Sequence, residues 1–521
     1  MHPHFPRFFN TAGPCRPEEH YMLPPEQRVL DIRGLIDSAA YFVIHAPRQS
    51  GKTTLLRNLS RQLTQEGRYA AITISLEVFI GNDVATMWPQ FPSKCQHDAL
   101  RQWPSELQAP PSEALGAEPH VGLTQYLSTW ASLCPRPLVI FFDEVDALQG
   151  EVLISLLRQL RDGYCSRPAP FPYSVALVGM RDVRDYRGQV RDEGGSIGSA
   201  SPFNIKSESL RLSNFDADEV RALLEQHTEA TGQRFDADAA TEIFEQTQGQ
   251  PWLCNALAHL LCTHRAPLVP DRSQNVTRQH VLEAREILIE RRDTHLDSLV
   301  ARLREDRVRR IIEPILTGEL KLDSATSDDD FSYVRDLGLV RLDKGQRVIA
   351  NPIYQEIIPR VLTYQLQSSI PLEPAWYIAE DGTLDLMKLL EGFVQFWHRN
   401  GEVLLRGMPY QEAAPHLVLM AYLQRVVNGG GHILREFAVG TGRADLVISF
   451  GGRDDVLELK LLRDKYTLED GKQQVARYAK RLGRDHGYLV IFDNRVGSPW
   501  EERGRFEQHQ HDGVELTVLW A

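Results

Sequence analysis

"APRQSGKTT", residues 46–54, follows the apolar run "YFVIH" and opens a stretch in which Leu55, Leu56, Leu59 and Leu63 share one helical face. A strand that turns directly into a helix aims backbone N–H groups and the positive end of the helix dipole at whatever occupies the turn. The spacing is that of GxxxxGK[ST], a phosphate cradle. Ala46, Pro47, Arg48, Gln49, Ser50, Gly51 and Thr54 line the cradle, Lys52 reaches the outer phosphates, and the Thr53 hydroxyl is placed to ligate Mg²⁺. Ala46 stands where the pattern has its first glycine, and a small residue is tolerated at that turn.

Outward from the loop, "PLVIFFDEVDAL" ends a second apolar strand in Asp143 and Glu144. A carboxylate at that tip holds the Mg²⁺ hydration shell, and its neighbour orients the attacking water, so Asp143 is a candidate metal ligand and Glu144 a candidate catalytic residue. The strand "YSVALVG" then delivers Arg181 and Asp182 in "GMRDVRDY", with a guanidinium placed to sense a γ-phosphate. Strands and helices alternate to about residue 205, which predicts an α/β fold with a parallel sheet wrapped by helices over 1–205. The Pro- and Trp-rich stretch 82–120 reads as an elaborated surface segment. Helical periodicity over 206–299 predicts a lid.

Residues 300–367 read as helix, hairpin turning at Lys344-Gly345, and helix, the order of a winged helix; DNA reading and a packing role both remain open for it. Past "SSIPLEPAW" a last domain, 368–521, begins with two helices and continues into strands near 432–439, 444–450, 456–462 and 487–492.

Together "APRQSGKTT", "FFDEVDAL", the arginine of "GMRD" and Gly249-x-Pro251 in "TQGQPWLCNALA" resemble the STAND class of AAA-like ATPases, particularly its MNS group. The resemblance covers roughly residues 8–365. It implies ATP as ligand, Arg181 as sensor, Pro251 as a nucleotide contact, and a switch whose lid and winged helix dock differently with ATP and ADP. His20 or Tyr21 in the N-terminal arm is a candidate adenine contact.

In "GRADLVISFGGRDDVLELKLL", residues 442–462, a turn at Gly451-Gly452 sets Asp445 opposite Glu458 and Leu446 opposite Leu457. Paired carboxylates call for a cation: a divalent metal with Lys460 beside it, or a salt cluster with Arg443 and Lys460. An acid, Glu-x-Lys on the next strand, and a following helix carrying Gln474 and Tyr478 at i, i+4 resemble the PD-(D/E)XK nucleases of RecB type, with Ala444 in place of the proline. That resemblance, over about 368–521, implies a restriction-endonuclease-like α/β domain. Asp445, Glu458, Lys460, Gln474 and Tyr478 would be its catalytic residues, and Asp445 and Glu458 its ligands for Mg²⁺ or Mn²⁺. A further acid is Glu412, with Glu436 as alternate. The basic residues Lys472, Arg477, Lys480, Arg481 and Arg484 would follow a phosphate backbone.

The chain has 521 residues, 42% hydrophobic and 25% charged, enough for about three or four domains. A net charge of −12 argues against a basic coat for nonspecific nucleic-acid binding. The six cysteines form no CxxC pair. Apolar runs fall short of the roughly 18 residues of a membrane span, and no signal core opens the chain, so a cytoplasmic protein without a membrane is expected. The expected function is an ATP switch controlling a metal-dependent nuclease that cleaves DNA rather than RNA and assembles as a homo-oligomer. Bacterial defence and mobile elements use such fusions by analogy. An ATP-dependent DNA-binding or signalling scaffold with an inactive nuclease fold is the alternative.

Overall fold

The computed structural model describes residues 6–29, 31–104, 106–114, 121–181, 208–291, 301–316, 328–362, 376–379, 381–407, 413–428, 431–439, 442–462, 466–493 and 503–521. Within these ranges it leaves aside the side chains of 114, 402–407, 424–428, 432, 434–439 and 442–445. Two compact units divide the chain: Met1–His295 with Phe331–Val340, and Leu296–Asp330 with Arg341–Ala521. The residues expected to form one module over 300–367 therefore belong to both units.

The first unit begins with α1 (Ile32–Asp37), β1 (Tyr41–His45), α2 (Lys52–Gln65), β2 (Ala70–Ser75), α3 (Val84–Gln102) and α4 (Gly122–Leu133). It continues with β3 (Leu138–Asp143), α5 (Gly150–Cys165), β4 (Ser174–Gly179) and β5 (Glu208–Arg211). The five strands are parallel in the order β2-β3-β4-β1-β5. β1, β3 and β4 are buried throughout, because helices cover both faces and alternation has no solvent side to express. Phe42 and Ile44 pack on Leu55, Leu56 and Leu59 of α2, whereas Tyr41 and Val43 join the core formed with α3, α4 and α5. The sheet takes its fifth strand from Glu208–Arg211, just past the core boundary expected at 205.

Within the stretch 82–120, residues 84–103 are not a surface elaboration. Met87, Trp88, Phe91, Cys95 and Ala99 recur at helical spacing and are buried against the sheet, and Trp103 donates to the Ala71 carbonyl at 2.7 Å. Pro89 and Pro92 lie inside α3, and they disguised a strong apolar stripe.

The expected lid is helical: α6 (Ala217–Thr231), α7 (Ala237–Thr247), α8 (Pro251–Ala258) and α9 (Arg278–Arg291). Asp216 and Glu219 form a reciprocal capping box that starts α6. Between α7 and α8, Gly249 adopts φ +68, and its carbonyl accepts the Phe215 N–H at 2.8 Å.

In the second unit, α10 (Asp306–Leu316) precedes α11 (Asp328–Asp336), whose last residues belong to the first unit. β6 (Val340–Asp343) and β7 (Gln346–Ile349) pair into a ribbon that turns through Lys344 and Gly345, both at positive φ, and α12 (Pro352–Leu362) follows. The rest comprises α13 (Leu386–Gly407), α14 (Ala414–Asn428), β8 (His432–Val439), β9 (Gly442–Phe450), β10 (Arg453–Leu461), α15 (Thr467–Arg481), β11 (His486–Phe492), β12 (Arg505–His511) and β13 (Val514–Trp520).

These six strands form one sheet, β12-β13-β11-β10-β9-β8. β8, β9 and β10 run antiparallel, and β10 crosses through α15 to a parallel β11. Leu457 pairs with Leu446 and Arg453 with Phe450 about the positive-φ turn Gly451-Gly452, the register expected from the sequence. β12 and β13 were not expected, although Asp512-Gly513, both at positive φ, is a legible two-residue hairpin turn.

A β-carbon at Gly249 would lie 1.8 Å from the Phe215 carbonyl oxygen, in a backbone region that side chains disfavour. Gly249→Ala is expected to cost at least about 2 kcal/mol, read as a lowered midpoint in chemical denaturation. An unchanged midpoint would show that this corner can relax without loss.

Candidate functional site

The three adjacent strands β3, β4 and β1 deliver three groups to one edge of the sheet, where strand order brings together residues far apart in the chain. From β1 the chain enters the loop 46–51, with Gln49 at φ +58 and Gly51 at φ +94, the latter capping α2. The Lys52 ammonium folds back to donate to the Ala46 and Pro47 carbonyls at 2.6 and 2.8 Å, and the Ser50 hydroxyl donates to the Pro47 carbonyl at 2.6 Å. Desolvation holds the Lys52 ammonium below the usual lysine range, against the opposing pull of Asp146, Asp143 and Glu144.

The Thr53 hydroxyl donates to Asp143 Oδ2 at 2.7 Å. Asp143 is 2% exposed, and burial raises its carboxyl above the usual range despite the Thr53 bond and Lys52. Glu144 sits at φ +57 and accepts from the Ser75 hydroxyl at 3.0 Å. Burial first, and Asp143 next to it among further causes, raise its carboxyl as well. A non-glycine residue in the left-handed region beside the loop is the kind of strain that clusters at functional sites. The Thr53 hydroxyl and Asp143 are the donor set that fits a Mg²⁺ ion accompanying a nucleotide.

Arg181 is buried at the end of β4, its guanidinium carbon 5.0 Å from the centroid of the Tyr333 ring. Asp146, unremarked in the sequence, accepts the Met180 N–H, and its other oxygen has no hydrogen-bond partner among the described residues. Burial raises its carboxyl too, against Lys52 and Arg181.

Two neighbours of the loop carried no motif. Phe331–Val340, returning to this unit from far along the chain, meets the strand and loop directly: Asp336 Oδ2 lies 3.5 Å from His45 Nδ1. At Gly338, φ +81, a β-carbon would come within 2.8 Å of Pro47. Arg28 is the second: it donates to the Ser50 carbonyl through both terminal nitrogens at 3.2 Å and to the Ser213 carbonyl at 2.8 Å.

The N-terminal arm bridges α8 and α2. Trp252 donates to the Thr11 carbonyl at 2.8 Å, and the Cys15 N–H donates to the Thr54 hydroxyl at 3.1 Å. His20 and Tyr21, the candidate adenine contacts, are instead buried, His20 within the arm and Tyr21 between the arm and α6. His20 accepts from the Arg16 N–H, and Tyr21, 1% exposed, lies against Phe9 and His227. Both rings are already enclosed, that of Tyr21 also by the Arg7 guanidinium, 5.2 Å from its centroid. Pro251 is buried at the first position of α8, where its missing N–H costs nothing.

In the second unit, Glu458 is 2% exposed and its Oε1 lies 2.9 Å from the Lys460 ammonium. Glu458 pairs in register with Leu489 and Lys460 with Ile491, two residues that pack on α15, so both charged residues share the face that this helix covers. Tyr478 of α15 packs on Val447 and Val456, and Arg477 donates to its hydroxyl at 3.1 Å. Gln474 Oε1 is buried without a hydrogen-bond partner among the described residues.

The observed register of β9 and β10 ends at Leu446–Leu457, one residue short of Asp445 and Glu458. The side chains of Asp445, Arg443, Ala444 and Glu436 lie outside the described residues, as does Glu412 altogether. Among the described residues no three His, Cys, Asp or Glu side chains group as a metal site. The basic residues of α15 and of the turn after it are partly engaged: Lys472 with Glu469 at 2.8 Å, Lys480 with Asp512 at 3.9 Å, and Arg484, beyond the helix, with the Asp454 carbonyl at 2.8 Å.

Comparison with known families adds one assignment to this geometry. A model of the AAA domain matches residues 36–186, the span holding the loop, the acidic strand tip and Arg181. Residues 36–186 are an AAA-like P-loop ATPase domain. A second match, over 389–495, is to a domain of unknown function (DUF8371). No curated protein sequence matches the chain.

Among solved structures, a Walker-type ATPase of Pyrococcus abyssi is similar at 13% identity and TM-score 0.44, covering 67% of this chain and 99% of that one. The RuvB Holliday junction branch migration motor of Thermotoga maritima is similar at 15% identity and TM-score 0.32, over 63% and 91%. Cdc6p from Pyrobaculum aerophilum gives 15% and 0.33, over 66% and 93%. Scores this low establish no shared function. Among the described residues no helix is long and apolar enough to cross a membrane.

Within the AAA-like domain, Lys52→Ala is expected to lower ATP turnover at least about 100-fold, measured by phosphate release. Asp146→Asn keeps an acceptor for Met180 and removes a buried charge. Because the folded carboxyl titrates above its unfolded value, its ionisation costs stability; the cost is full above the folded value and vanishes below about pH 4. Asp146→Asn should therefore raise the Tm of the nucleotide-free protein at pH 7 by at least about 2 °C, with the gain shrinking as the pH falls toward about 4. A lowered Tm at pH 7 would mean that the charge is needed by Lys52 and Arg181.

Proposed function

We propose that the chain is an ATP-operated switch whose output is metal-dependent cleavage of DNA by its C-terminal domain. The observation that carries this reading is the face of β10 beneath α15, where a buried Glu458 with Lys460 beside it lies under the helix that carries Tyr478 and the orphaned Gln474 Oε1. A buried carboxylate and a buried, unsatisfied amide oxygen are costly in a merely structural sheet, and both suit a site that takes a cation and its water shell. The acidic Asp445 occupies the next position of the facing strand.

In this reading Asp445 and Glu458, with Glu412 as a further candidate, hold Mg²⁺ or Mn²⁺, which supplies Lewis acidity at a phosphodiester. Lys460 orients the attacking water and offsets charge growing on the phosphate oxygens. Gln474 and Tyr478 position Lys460 and the substrate strand. At the other end, Lys52, Thr53 and Arg181 grip the ATP phosphates, with Asp143 on the Mg²⁺ shell and Glu144 orienting water. Phe331–Val340 supplies the switch with a movable contact: Tyr333 lies against the sensor arginine and Gly338 against Pro47. DNA is the preferred substrate, and assembly into a homo-oligomer would pair two cleavage sites for double-strand breaks.

The test is incubation of the full chain with plasmid, linear duplex, single-stranded DNA and RNA, with Mg²⁺ or Mn²⁺ and with ATP, ADP or neither. Glu458→Gln and Lys460→Ala are each expected to reduce plasmid cleavage at least about 100-fold while ATP turnover stays within about two-fold. Cutting by either variant at the wild-type rate would sink the site. DNA retained in a gel shift yet uncut by the unaltered chain under every condition would favour the scaffold with an inactive nuclease fold.

A further inference from the structure

Arg28 belongs to no motif, lies upstream of the phosphate loop, and is 8% exposed. Its guanidinium spends its donors on two main-chain carbonyls from different parts of the domain. Both terminal nitrogens reach Ser50 of the phosphate loop at 3.2 Å, and one reaches Ser213, between β5 and α6, at 2.8 Å. Ser213 returns the contact, its hydroxyl donating to the Arg28 carbonyl at 3.3 Å. The guanidinium also stacks over Phe215, 4.8 Å from the ring centroid. A β-carbon on Gly51 would lie 3.0 Å from the same guanidinium, so arginine and loop are in contact with nothing between them.

The lid side continues without a break. The Phe215 N–H donates to the Gly249 carbonyl at 2.8 Å, and Gly249 approaches the Phe215 carbonyl so closely that no β-carbon fits. The Gln250 side chain then caps α8 by accepting the Leu253 N–H at 2.6 Å. A planar fork that bonds two carbonyls at once transmits position better than a flexible ammonium. Burial draws Arg28 down to about 10, which leaves it charged at neutral pH.

We infer that Arg28 is a positioning residue that couples occupancy of the phosphate loop to the lid helix α8, acting through the Ser50 carbonyl on one side and Ser213–Phe215 on the other. Phosphate binding draws the loop amides toward the ligand and shifts the Ser50 peptide; Arg28 carries that shift to the Phe215–Gly249 corner and so to Pro251. The role lies within the first unit and is independent of the proposed nuclease.

Hydrogen exchange of the full chain, with and without saturating ATP and Mg²⁺, tests it. In the unaltered protein ATP slows exchange both at Thr53–Leu56 and at Leu253–Leu257. In Arg28→Ala the first response persists and the second falls at least about five-fold; Arg28→Lys, which keeps the charge and loses the fork, lies between. The intermediate rescue separates positioning from simple packing. If Arg28→Ala does not fold, Arg28→Lys decides, because an undiminished α8 response in either variant overturns the coupling. An unaltered protein whose α8 ignores ATP while its loop responds overturns it as well. Loop amides that ignore ATP would overturn the nucleotide assignment and this coupling together.

Discussion

The hydrogen bond from the Thr53 hydroxyl to Asp143, 2.7 Å long, ties the helix after the phosphate loop to the tip of the acidic strand β3. It requires β1 and β3 to lie on either side of β4 and to end at the same level, and the parallel pairing along all three strands meets that requirement. It also asks the protein to bury a carboxylate. The fold answers with hydroxyl and amide donors and a nearby ammonium, since a buried charge left without partners would cost several kcal/mol. The Lys52 ammonium donates to two carbonyls of its own loop, which ties it to the cradle.

The loop is a meeting point for segments that are remote in sequence. The arm reaches Thr54 through Cys15, Arg28 reaches Ser50, and Phe331–Val340 reaches His45 and Pro47. A phosphate bound in the loop would lie close to contacts with all three, which is the physical basis of the proposed switch, because packed contacts rearrange between discrete states rather than deform smoothly. Two non-glycine residues in the left-handed region, Gln49 and Glu144, bracket the same place.

Where local pattern and local chemistry coincide, the fold was legible before the structure. The strand-loop-helix of 41–65 needs only apolar spacing and Gly51, and the C-terminal hairpin needs only alternation and Gly451-Gly452 to set its register. Legibility failed where one signal masked another. Pro89 and Pro92 hid the stripe of Trp88, Phe91 and Cys95 in a stretch that reads as an elaborated surface segment. The polar alternation of Arg505–His511 hid an edge strand whose Asp512-Gly513 turn was visible. His20 and Tyr21 looked available because aromatic residues in an arm suggest a base contact; the packing of Phe9 and His227 encloses Tyr21 instead.

The sequence by itself determined the phosphate cradle, the acidic strand tip and the parity that sets Glu458 and Lys460 on one face, because each follows from spacing within a few residues of one element. Only the tertiary structure decided which distant groups meet there: Arg28 behind Ser50, Tyr333 beneath Arg181, Asp146 behind Met180, and α15 over β10. Those meetings depend on strand order and helix packing, long-range consequences of burying apolar surface from the whole unit at once, and no local spacing encodes them.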